Sequence, residues 1–273
     1  MPSRHPKYRL NDADRQLRIA LTNYRRRRQV TTIDTLAEYN RRAAAGLEAV
    51  QHAPALRAWL AGYDAFVPVI DLAPFDITPL HFEGEPAEGY ATLEDFTARI
   101  NAKLAAADAT LGYGGYLEQR PFYSSALFDA QAERSRSLHL GIDLWCPAGT
   151  PVRAPLDGTI HSFANNDRGR DYGGTVILEH HVDGHRFWSL YGHLGLAKLG
   201  HLRERQHISA GTAFAKTGAP DENGGWPPHL HLQVITDMLD YRGDFPGVAY
   251  PDERRLWSSL VLDASALAGV PYG

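Results

Sequence analysis

The sequence has few of the features that mark disulfide-rich or membrane-embedded proteins. Only one of its 273 residues, Cys146, is a cysteine, which excludes an internal disulfide framework. No stretch of about 18 consecutive apolar residues occurs, so the sequence predicts no membrane span. The first twelve residues have no apolar h-region and no small-residue cleavage site. They predict a cytoplasmic protein without a signal peptide, with export by another route or a signal removed from this sequence as the alternatives.

Basic and acidic residues are separated along the chain. Residues 1–65 contain 12 Lys and Arg against 6 Asp and Glu, and the remainder contains 16 against 26, so the net charge of −4 divides into +6 and −10. The run Arg25–Arg28 has no interleaved aromatic residues and belongs to no recognised nucleic-acid-binding module. We therefore predict no nucleic-acid partner. The run is interpreted as a solvated helix face, or as one docked on the acidic part of the chain.

Two short segments combine metal-binding side chains with the alternation of a half-buried strand. His139 and Asp143 lie in the segment 139–144, where the odd-numbered residues share one face. His229 and His231 alternate with apolar residues in the same way and also point to one side. Two adjacent strands of this kind would bring four nitrogen and oxygen ligands to one point.

Zinc prefers neutral imidazole nitrogen and carboxylate oxygen, and a catalytic zinc site leaves its fourth position to water or substrate. His139, Asp143 and one histidine of the His-x-His pair meet this requirement for three protein ligands. Either motif alone is typical of ordinary polar strand residues. The presence of both motifs in one domain favours a zinc site.

The chain resembles the lysostaphin-like, or LytM-type, metallopeptidases over about residues 137–236. That family carries a His-x-x-x-Asp motif, a histidine in a Tyr-x-His context and a His-x-His motif in a compact antiparallel β domain. The matching segments are His139-Leu140-Gly141-Ile142-Asp143, Tyr191-Gly192-His193 and His229-Leu230-His231. Further matches are Pro147-Ala148-Gly149-Thr150-Pro151-Val152 and Ile208-Ser209-Ala210-Gly211-Thr212.

The resemblance implies one zinc ion per chain and hydrolysis of a peptide or peptidoglycan-like substrate by zinc-activated water. It assigns His139, Asp143 and His231 to the zinc, and His193 and His229 to catalysis. No His-Glu-x-x-His helix supplies a glutamate base. His229 is close enough to the ligands for general-base work, and His193 is a candidate donor to the oxyanion or the leaving amine. Which histidine performs which step stays open at this point.

Four residues are candidates for substrate contact. Many members of the family have a tyrosine shortly before the first ligand, whereas residues 129–138 contain none. Tyr123 is expected to replace that tyrosine if its loop folds back over the site. Trp226 lies in an aromatic-proline loop expected to wall the cleft. Asn166 is expected in a loop at another edge, and Tyr191 is a candidate through the Tyr-x-His motif.

The predicted fold class is α+β, with a helical N-terminal region and an antiparallel β-sheet LytM-type metallopeptidase domain. The first expected unit, residues 1–65, is helical and basic. The second, residues 66–136, is a connecting α/β segment that packs on the catalytic domain. The third, residues 137–273, is the zinc peptidase domain with a C-terminal extension.

Helical spacing of apolar residues predicts two helices before the peptidase motifs. The first includes Leu36 to Val50 and ends before Pro54. The second begins at a capping box formed by Thr92 and is stopped by Gly112. The glycine- and tyrosine-rich residues that follow Leu111 are expected to form a flexible connection into the catalytic domain.

A β-hairpin is predicted around Asp183-Gly184, because strand-like runs flank this turn signal. The histidines of this hairpin are expected to be exposed residues rather than a second metal site. They are His180, His181 and His185.

The predicted function is zinc-dependent hydrolysis of a peptide or amide bond. Residues from about 66 to 260 also resemble a subgroup of the family without export signals, whose peptidase-like module can be fused to kinase-like and aminotransferase-like domains. That resemblance implies an intracellular peptide or small molecule as an alternative to peptidoglycan cross-links. The alternative function is a non-catalytic LytM-like module that binds peptide or regulates a partner.

Overall fold

The computed structural model describes residues 49–123 and 135–272, so the run Arg25–Arg28 and most of the first predicted helix lie outside the described residues. In the described part, the α-helices are α1 (Ala49–Gly62), α2 (Leu93–Ala106), α3 (Arg254–Leu260) and α4 (Ser265–Ala268). The strands are β1 (Ile77–Pro79), β2 (Leu111–Gly114), β3 (Leu138–His139), β4 (Ile142–Trp145), β5 (Pro151–Arg153), β6 (Gly158–Asn166), β7 (Gly173–Val182), β8 (His185–Leu194), β9 (His207–Ile208), β10 (Ala213–Lys216), β11 (Leu230–Ile235), β12 (Val248–Ala249) and β13 (Val261–Leu262).

A nine-stranded sheet organises the described part of the chain. Its strand order is β1-β2-β4-β11-β8-β7-β6-β9, and β13 also pairs with β11. The pairing of β1 with β2 is parallel, and the other pairings of this sheet are antiparallel. Two small antiparallel sheets are formed by β5 with β10 and by β3 with β12. The predicted α+β class with an antiparallel sheet is confirmed.

The two faces of the sheet are covered by different sets of residues. Along β11, Leu230, Leu232 and Val234 belong to the largest apolar cluster. Ile235, which points the other way, belongs to a second cluster that includes Trp257 of α3. The intervening polar residues of β11 therefore lie on the second face, where the predicted ligands are found.

An aromatic cluster covers part of this second face and joins α2 to the sheet. We use "aromatic cluster" for the rings of Phe82, Tyr90, Phe96, Phe122, Tyr123, Trp145 and Trp226. Neighbouring rings in the cluster have centroids 4.7 to 6.4 Å apart, and many meet edge to face. The cluster fixes the position of the segment that precedes the peptidase motifs.

That preceding segment is part of the central sheet. The flexible connection expected after Leu111 is wrong, because Leu111–Gly114 forms β2 and pairs with β4. Gly112 lies opposite Trp145 and Gly114 opposite Asp143. Backbone pairing with a buried strand outweighs the weak strand preference of glycine here. The expected boundaries between the three units stay a prediction.

Helix α2 begins as predicted but ends early. The Thr92 hydroxyl accepts a hydrogen bond from the backbone N–H of Asp95, which satisfies a free donor of the first turn. The helix ends at Ala106 rather than at Gly112, because Asp108 adopts a left-handed conformation with φ of 50°. Leu111 is extended in β2 and cannot also continue the helical stripe.

Helix α1 contains Pro54 in its interior, so the predicted end of a helix before this residue is wrong. A proline inside a helix removes one backbone hydrogen bond. Burial compensates for that loss, since Ala53, Leu56 and Leu60 are each 2% exposed and belong to the largest apolar cluster. No helix in residues 49–123 or 135–272 is long and apolar enough to cross a membrane.

The predicted hairpin is present as β7 and β8, but only one of its three histidines is exposed. His181 is exposed, His185 is half-buried and His180 is fully buried. The His180 Nδ1 lies 2.9 Å from the carbonyl oxygen of Asp157 and its Nε2 lies 2.7 Å from Ser189 Oγ. Gly158 makes room for this ring, since a Cβ atom there would lie 2.9 Å from it.

Burial makes His180 a source of pH-dependent stability. Desolvation lowers its pKa from 6.5 to about 4. The His180 ring is protonated near pH 6.5 in the unfolded chain, but only near pH 4 in the folded chain. The contribution of neutral His180 to the free energy of unfolding is therefore complete above pH 6.5 and decreases as the pH falls to 4. The full change corresponds to about 3 kcal/mol.

We predict that His180→Gln reduces the loss of unfolding free energy between pH 7 and pH 4 by about 3 kcal/mol relative to wild type. Glutamine does not titrate in this range. Urea unfolding at a series of pH values measures the effect. The exposed His181 gives the matched control, and His181→Gln is expected to keep the wild-type pH dependence. Equal pH dependence in wild type and His180→Gln contradicts the prediction.

Candidate active site

The pairing of β4 with β11 brings the two predicted ligand motifs together. His231 lies directly opposite Asp143 in this antiparallel pair. His139 is in β3, and Leu140 and Gly141 separate it from β4, so the His-x-x-x-Asp motif spans two short strands. Gly141 permits the close approach, since a Cβ atom there would lie 2.6 Å from the carbonyl oxygen of Leu232 and 2.7 Å from the His231 ring.

Three ligand atoms form a compact triangle that fits a metal ion. The distance from His139 Nε2 to His231 Nδ1 is 2.9 Å, and Asp143 Oδ1 lies 3.1 Å from His231 Nδ1 and 3.5 Å from His139 Nε2. Tetrahedral zinc with bonds near 2.0–2.1 Å needs ligand atoms about 3.3 Å apart. His139, Asp143 and His231 therefore form a candidate metal centre, and each is at most 3% exposed.

The proton positions at His139 leave a lone pair facing the centre of the triangle. Its Nδ1 lies 2.8 Å from the carbonyl oxygen of Gly115. A carbonyl oxygen only accepts hydrogen bonds, so Nδ1 carries the proton of the neutral ring. The Nε2 atom is then unprotonated and faces His231 Nδ1. Burial lowers the pKa of His139 and thereby favours this neutral form.

A chain of hydrogen bonds assigns the proton of His231 in the same manner. The amide nitrogen of Gln233 donates to the carbonyl oxygen of Pro246 at 3.0 Å, so Gln233 Oε1 is free to accept from the Tyr172 hydroxyl at 3.3 Å. The oxygen of Tyr172 then accepts from His231 Nε2 at 3.4 Å. This leaves His231 Nδ1 without a proton, and burial lowers the pKa of His231 to about 4.

The two imidazole lone pairs face the Asp143 carboxylate with no hydrogen between them. Burial opposes the ionisation of Asp143, but the Arg120 guanidinium keeps its pKa well below the usual value. Three electron-pair donors at these distances repel one another unless a cation lies between them. This donor set, two neutral imidazoles and one carboxylate, fits zinc.

Arg120 holds the second oxygen of Asp143. Its Nη1 donates to Asp143 Oδ2 at 2.5 Å and its Nε donates to Glu118 Oε2 at 2.8 Å. Gly115 has φ of 99°, and a Cβ atom there would lie 1.8 Å from Arg120 Nη2. Because Arg120 occupies Oδ2, Oδ1 is the oxygen that faces the two histidines. Nothing in the sequence predicted the contact of Arg120 with Asp143, because the two residues are 23 positions apart.

His193 and His229 lie beside the triangle with their rings 4.2 Å apart. His229 Nδ1 lies 2.7 Å from the carbonyl oxygen of Pro227, and His193 Nδ1 lies 2.8 Å from that of Asn223. Both Nδ1 atoms therefore carry the proton of the neutral ring, and both Nε2 atoms are acceptors. His229 Nε2 is 3.8 Å from Asp143 Oδ1. Burial lowers the pKa of His229 to about 4 and that of His193 well below 6.5.

A local break in strand alternation turns His193 toward the site. Tyr191 lies opposite Leu232 and belongs to the largest apolar cluster, so regular alternation would place His193 on that face as well. The register of β7 with β8 shifts between Gly174 and Val176, as at a β-bulge. His193 has φ of 60°, a left-handed conformation that is strained for a residue with a Cβ. This conformation brings its ring beside His229.

Aromatic rings form the wall of the site. Trp145 stacks on His229 with centroids 4.1 Å apart. The ring of Trp226 lies 6.3 Å from that of His229 and 6.0 Å from that of His193. Tyr123 is buried 6.5 Å from the His139 ring, with its hydroxyl 3.5 Å from Arg120 Nη1. Trp226 and Tyr123 thus lie beside the predicted ligands and catalytic histidines.

Tyr191 and Asn166, the other two predicted substrate contacts, make hydrogen bonds within the fold, and their contact with substrate stays a prediction. Tyr191 is fully buried on the opposite face, where its hydroxyl bonds Ser189 Oγ at 2.9 Å. Asn166 is the last residue of strand β6 rather than a loop residue. Its amide nitrogen donates to Thr175 Oγ1 at 2.9 Å and to the carbonyl oxygen of Gly243 at 3.0 Å. Both side chains thus take part in contacts that stabilise the fold.

Trp145, Tyr172 and Arg120 are site residues that the sequence analysis missed. Trp145 alone had a signal, because it alternates with Asp143 on the same strand and therefore shares its face. Tyr172 reaches the site because its ring packs against Gly192, which has no side chain. A Cβ atom at Gly192 would lie 2.5 Å from the tyrosine ring.

Comparison with known proteins agrees with this geometry. Residues 137–241 match the sequence model of peptidase family M23. Over these residues the chain is similar to the M23 peptidases, which confirms the family resemblance expected from the motifs. The candidate ligands and both catalytic-histidine candidates lie inside the matched region.

Two curated relatives align with less than half of the chain. The chain is 33% identical over 97 residues to the DD-carboxypeptidase/endopeptidase Mpg of Neisseria meningitidis, which is 36% of this chain and 20% of that protein. It is 27% identical over 117 residues to the L-Ala–D-Glu endopeptidase of Bacillus subtilis, which is 42% of this chain and 35% of that protein. The catalytic domain of lysostaphin from Staphylococcus simulans aligns with 22% identity and a TM-score of 0.29, covering 44% of this chain and 81% of that domain.

We predict that Arg120→Met lowers the unfolding free energy of the metal-free protein by about 3–5 kcal/mol, because Asp143 and Glu118 would remain buried without their cation. Urea unfolding measures the loss. The exposed pair of Arg186 with Glu179, at 2.7 Å, provides the control. Arg186→Met is expected to cost about 0–1 kcal/mol. Losses of similar, small size in both variants contradict the prediction.

Proposed function

We propose that this chain is a zinc-dependent peptidase that hydrolyses a peptide or related amide bond. The convergence of three unprotonated ligand atoms, 2.9 to 3.5 Å apart, beside two further unprotonated imidazole nitrogens carries this proposal. His139, Asp143 and His231 would hold one zinc ion. When bound, zinc supplies an acidic water molecule at neutral pH and polarises the scissile carbonyl.

His229 and His193 are proposed to move the protons of the reaction. Because Nδ1 of each ring donates to a backbone carbonyl, the neutral ring can only accept a proton at Nε2. His229 Nε2 is near Asp143 Oδ1, which supports its role as the general base. Once protonated, an imidazolium can give its proton to the leaving amine. Neutral His193 carries its proton on Nδ1, which is bonded to the Asn223 carbonyl, so it has no proton on Nε2 to donate to an oxyanion.

Surrounding groups would hold the two bases in place. Trp145 stacks on His229 and restricts rotation of its ring. Asn223 accepts from His193 through its backbone, and its side-chain amide donates to the carbonyl oxygens of Gly218 and Trp226 at 3.2 and 3.1 Å. Such fixed positioning lowers the reorganisation needed during catalysis.

A peptidoglycan-type peptide is the proposed substrate class. The support is the named activity of the relatives, a DD-carboxypeptidase/endopeptidase and an L-Ala–D-Glu endopeptidase. The chain spans 20% and 35% of these proteins, so their substrates enter here as a proposal only. An intracellular peptide carrying a similar bond is the alternative substrate that the same test includes.

We predict near-stoichiometric zinc in the wild-type protein and hydrolysis of purified peptidoglycan or of a member of a short-peptide panel. His231→Ala is expected to lose both zinc and activity. His229→Ala is expected to keep zinc and to lose about 10²–10⁴-fold in kcat, the contribution of a positioned base. His181→Ala, an exposed histidine of the same sheet, serves as the control with unchanged zinc and activity.

Each outcome of this experiment has a defined meaning. Wild-type protein that neither contains nor takes up zinc contradicts the proposal. Zinc binding without hydrolysis of any tested peptide favours a non-catalytic peptide-binding module instead. Loss of zinc in His229→Ala would mean that this residue is a ligand and that the proposed base is wrong.

We predict that Tyr172→Phe weakens zinc binding by about 10–100-fold, because His231 Nε2 would lose the acceptor that fixes its tautomer. Competition with a chromogenic chelator measures the affinity. The control is Tyr191→Phe, which also removes a buried hydroxyl but lies on the opposite face of the sheet. Equal zinc affinity for the two variants contradicts a role for Tyr172 in the ligand chain.

A further inference from the structure

Arg170 is a half-buried arginine that has no ion pair in the described part of the chain. Its Nη1 is buried and without a hydrogen-bond partner. Its Nη2 reaches only the carbonyl oxygens of Tyr90 and Ala91, both at 3.5 Å, the limit for a hydrogen bond. Burial lowers the pKa of Arg170, and no carboxylate counters this effect. The cost of burying this cation is therefore largely uncompensated.

The contrast with Arg120 shows what Arg170 lacks. Arg120 is more deeply buried, and its guanidinium is held by Glu118 and Asp143. Arginine presents a planar fork of donors that suits a carboxylate, and buried forks are normally filled. In Arg170 the Nη1 donor of the fork is unfilled, and the residue as a whole retains some exposure to solvent.

The position of Arg170 is fixed relative to the catalytic histidines. Its guanidinium carbon lies 4.7 Å from the centre of the Trp226 ring, a cation–π contact. Its backbone N–H donates to the carbonyl oxygen of Gly224 at 2.7 Å, and it adopts the left-handed conformation with φ of 67°. Strained backbone of this kind is found where a structure positions a functional side chain.

The distance to the site is suited to a substrate contact. Trp226 lies 4.7 Å from the Arg170 guanidinium carbon and 6.3 Å from the His229 ring, so these two groups are within 11 Å of each other. An extended peptide spans about 3.3–3.6 Å per residue. Arg170 can therefore reach a substrate residue within about three positions of the bond beside His229.

We propose that Arg170 binds a carboxylate of the peptide substrate, within three residues of the scissile bond, and so selects acidic peptides over neutral ones. The inference rests on the proposed peptidase function and adds the charge of the substrate to it. Trp226 would hold the guanidinium flat while the carboxylate accepts hydrogen bonds from the open side of the fork.

Paired peptides test this proposal. Each pair has the same sequence and differs only in a carboxylate against its amide, as Glu against Gln in either chirality or a free against an amidated C-terminus. Hydrolysis gives kcat and KM, and calorimetric binding to zinc-loaded His229→Ala gives the affinity without turnover. For the pair whose carboxylate reaches Arg170, wild type is expected to prefer the acid by about tenfold in KM.

Two variants of Arg170 and one control variant test whether this residue causes the preference for the acidic peptide. Arg170→Gln is expected to bring the acid-to-amide ratio close to one by weakening only the acid, with kcat on the amide retained. Arg170→Lys is expected to keep part of the preference, since it retains the charge but not the fork. Arg168→Gln, an exposed neighbour, is the control and should keep the wild-type ratio. Thermal unfolding of every variant identifies any loss of folding.

The outcomes separate this inference from the proposed peptidase function. A wild-type protein that treats acid and amide alike in every pair overturns the inference, even when it hydrolyses both. A preference that persists in Arg170→Gln, or a loss of activity that is equal for acid and amide, also overturns it. If no peptide is hydrolysed, the peptidase proposal fails, and the binding ratio for zinc-loaded His229→Ala still decides the role of Arg170.

Discussion

Mutual repulsion among three buried electron-pair donors is the interaction on which the arrangement of this domain depends. His139, His231 and Asp143 are held within 3.5 Å of one another, although none has a proton to share with the others. Folding contacts must hold them there. The β4–β11 register, the Gly115 carbonyl and the Tyr172–Gln233 pair each fix one of them from outside the triangle.

The segment before the peptidase motifs contributes to this support. Strand β2 is the neighbour of β4 in the sheet, with Gly114 opposite Asp143. Glu118 and Arg120 follow β2 closely in sequence. The aromatic cluster connects α2 to Trp145 and Trp226, the rings beside the two histidines proposed as catalytic. The segment that the sequence predicted to be a connection thus supports the ligands through β2 and Arg120 and contributes aromatic rings to one wall of the site.

The sequence predicted the parts of the site that depend on local alternation. His231 and Asp143 share a face because each lies in a regular strand, and their residue types suit zinc. Other parts depend on contacts between distant segments. Arg120 and Tyr172 reach the ligands only through sheet pairing and through the space left at Gly115 and Gly192. Tyr191 and His193 lie on opposite faces of the sheet because of a β-bulge, which the Tyr-x-His motif alone does not reveal.

The left-handed backbone conformation of His193 means that the proposed catalytic role of this residue carries a cost in stability. Glycine is the only residue that adopts φ near 60° without a steric penalty, so replacement of His193 by glycine would relieve strain while removing an imidazole from the site. A directed-evolution library screened only for resistance to heat would enrich such a change. Screens that aim to stabilise this domain therefore need a simultaneous selection for turnover.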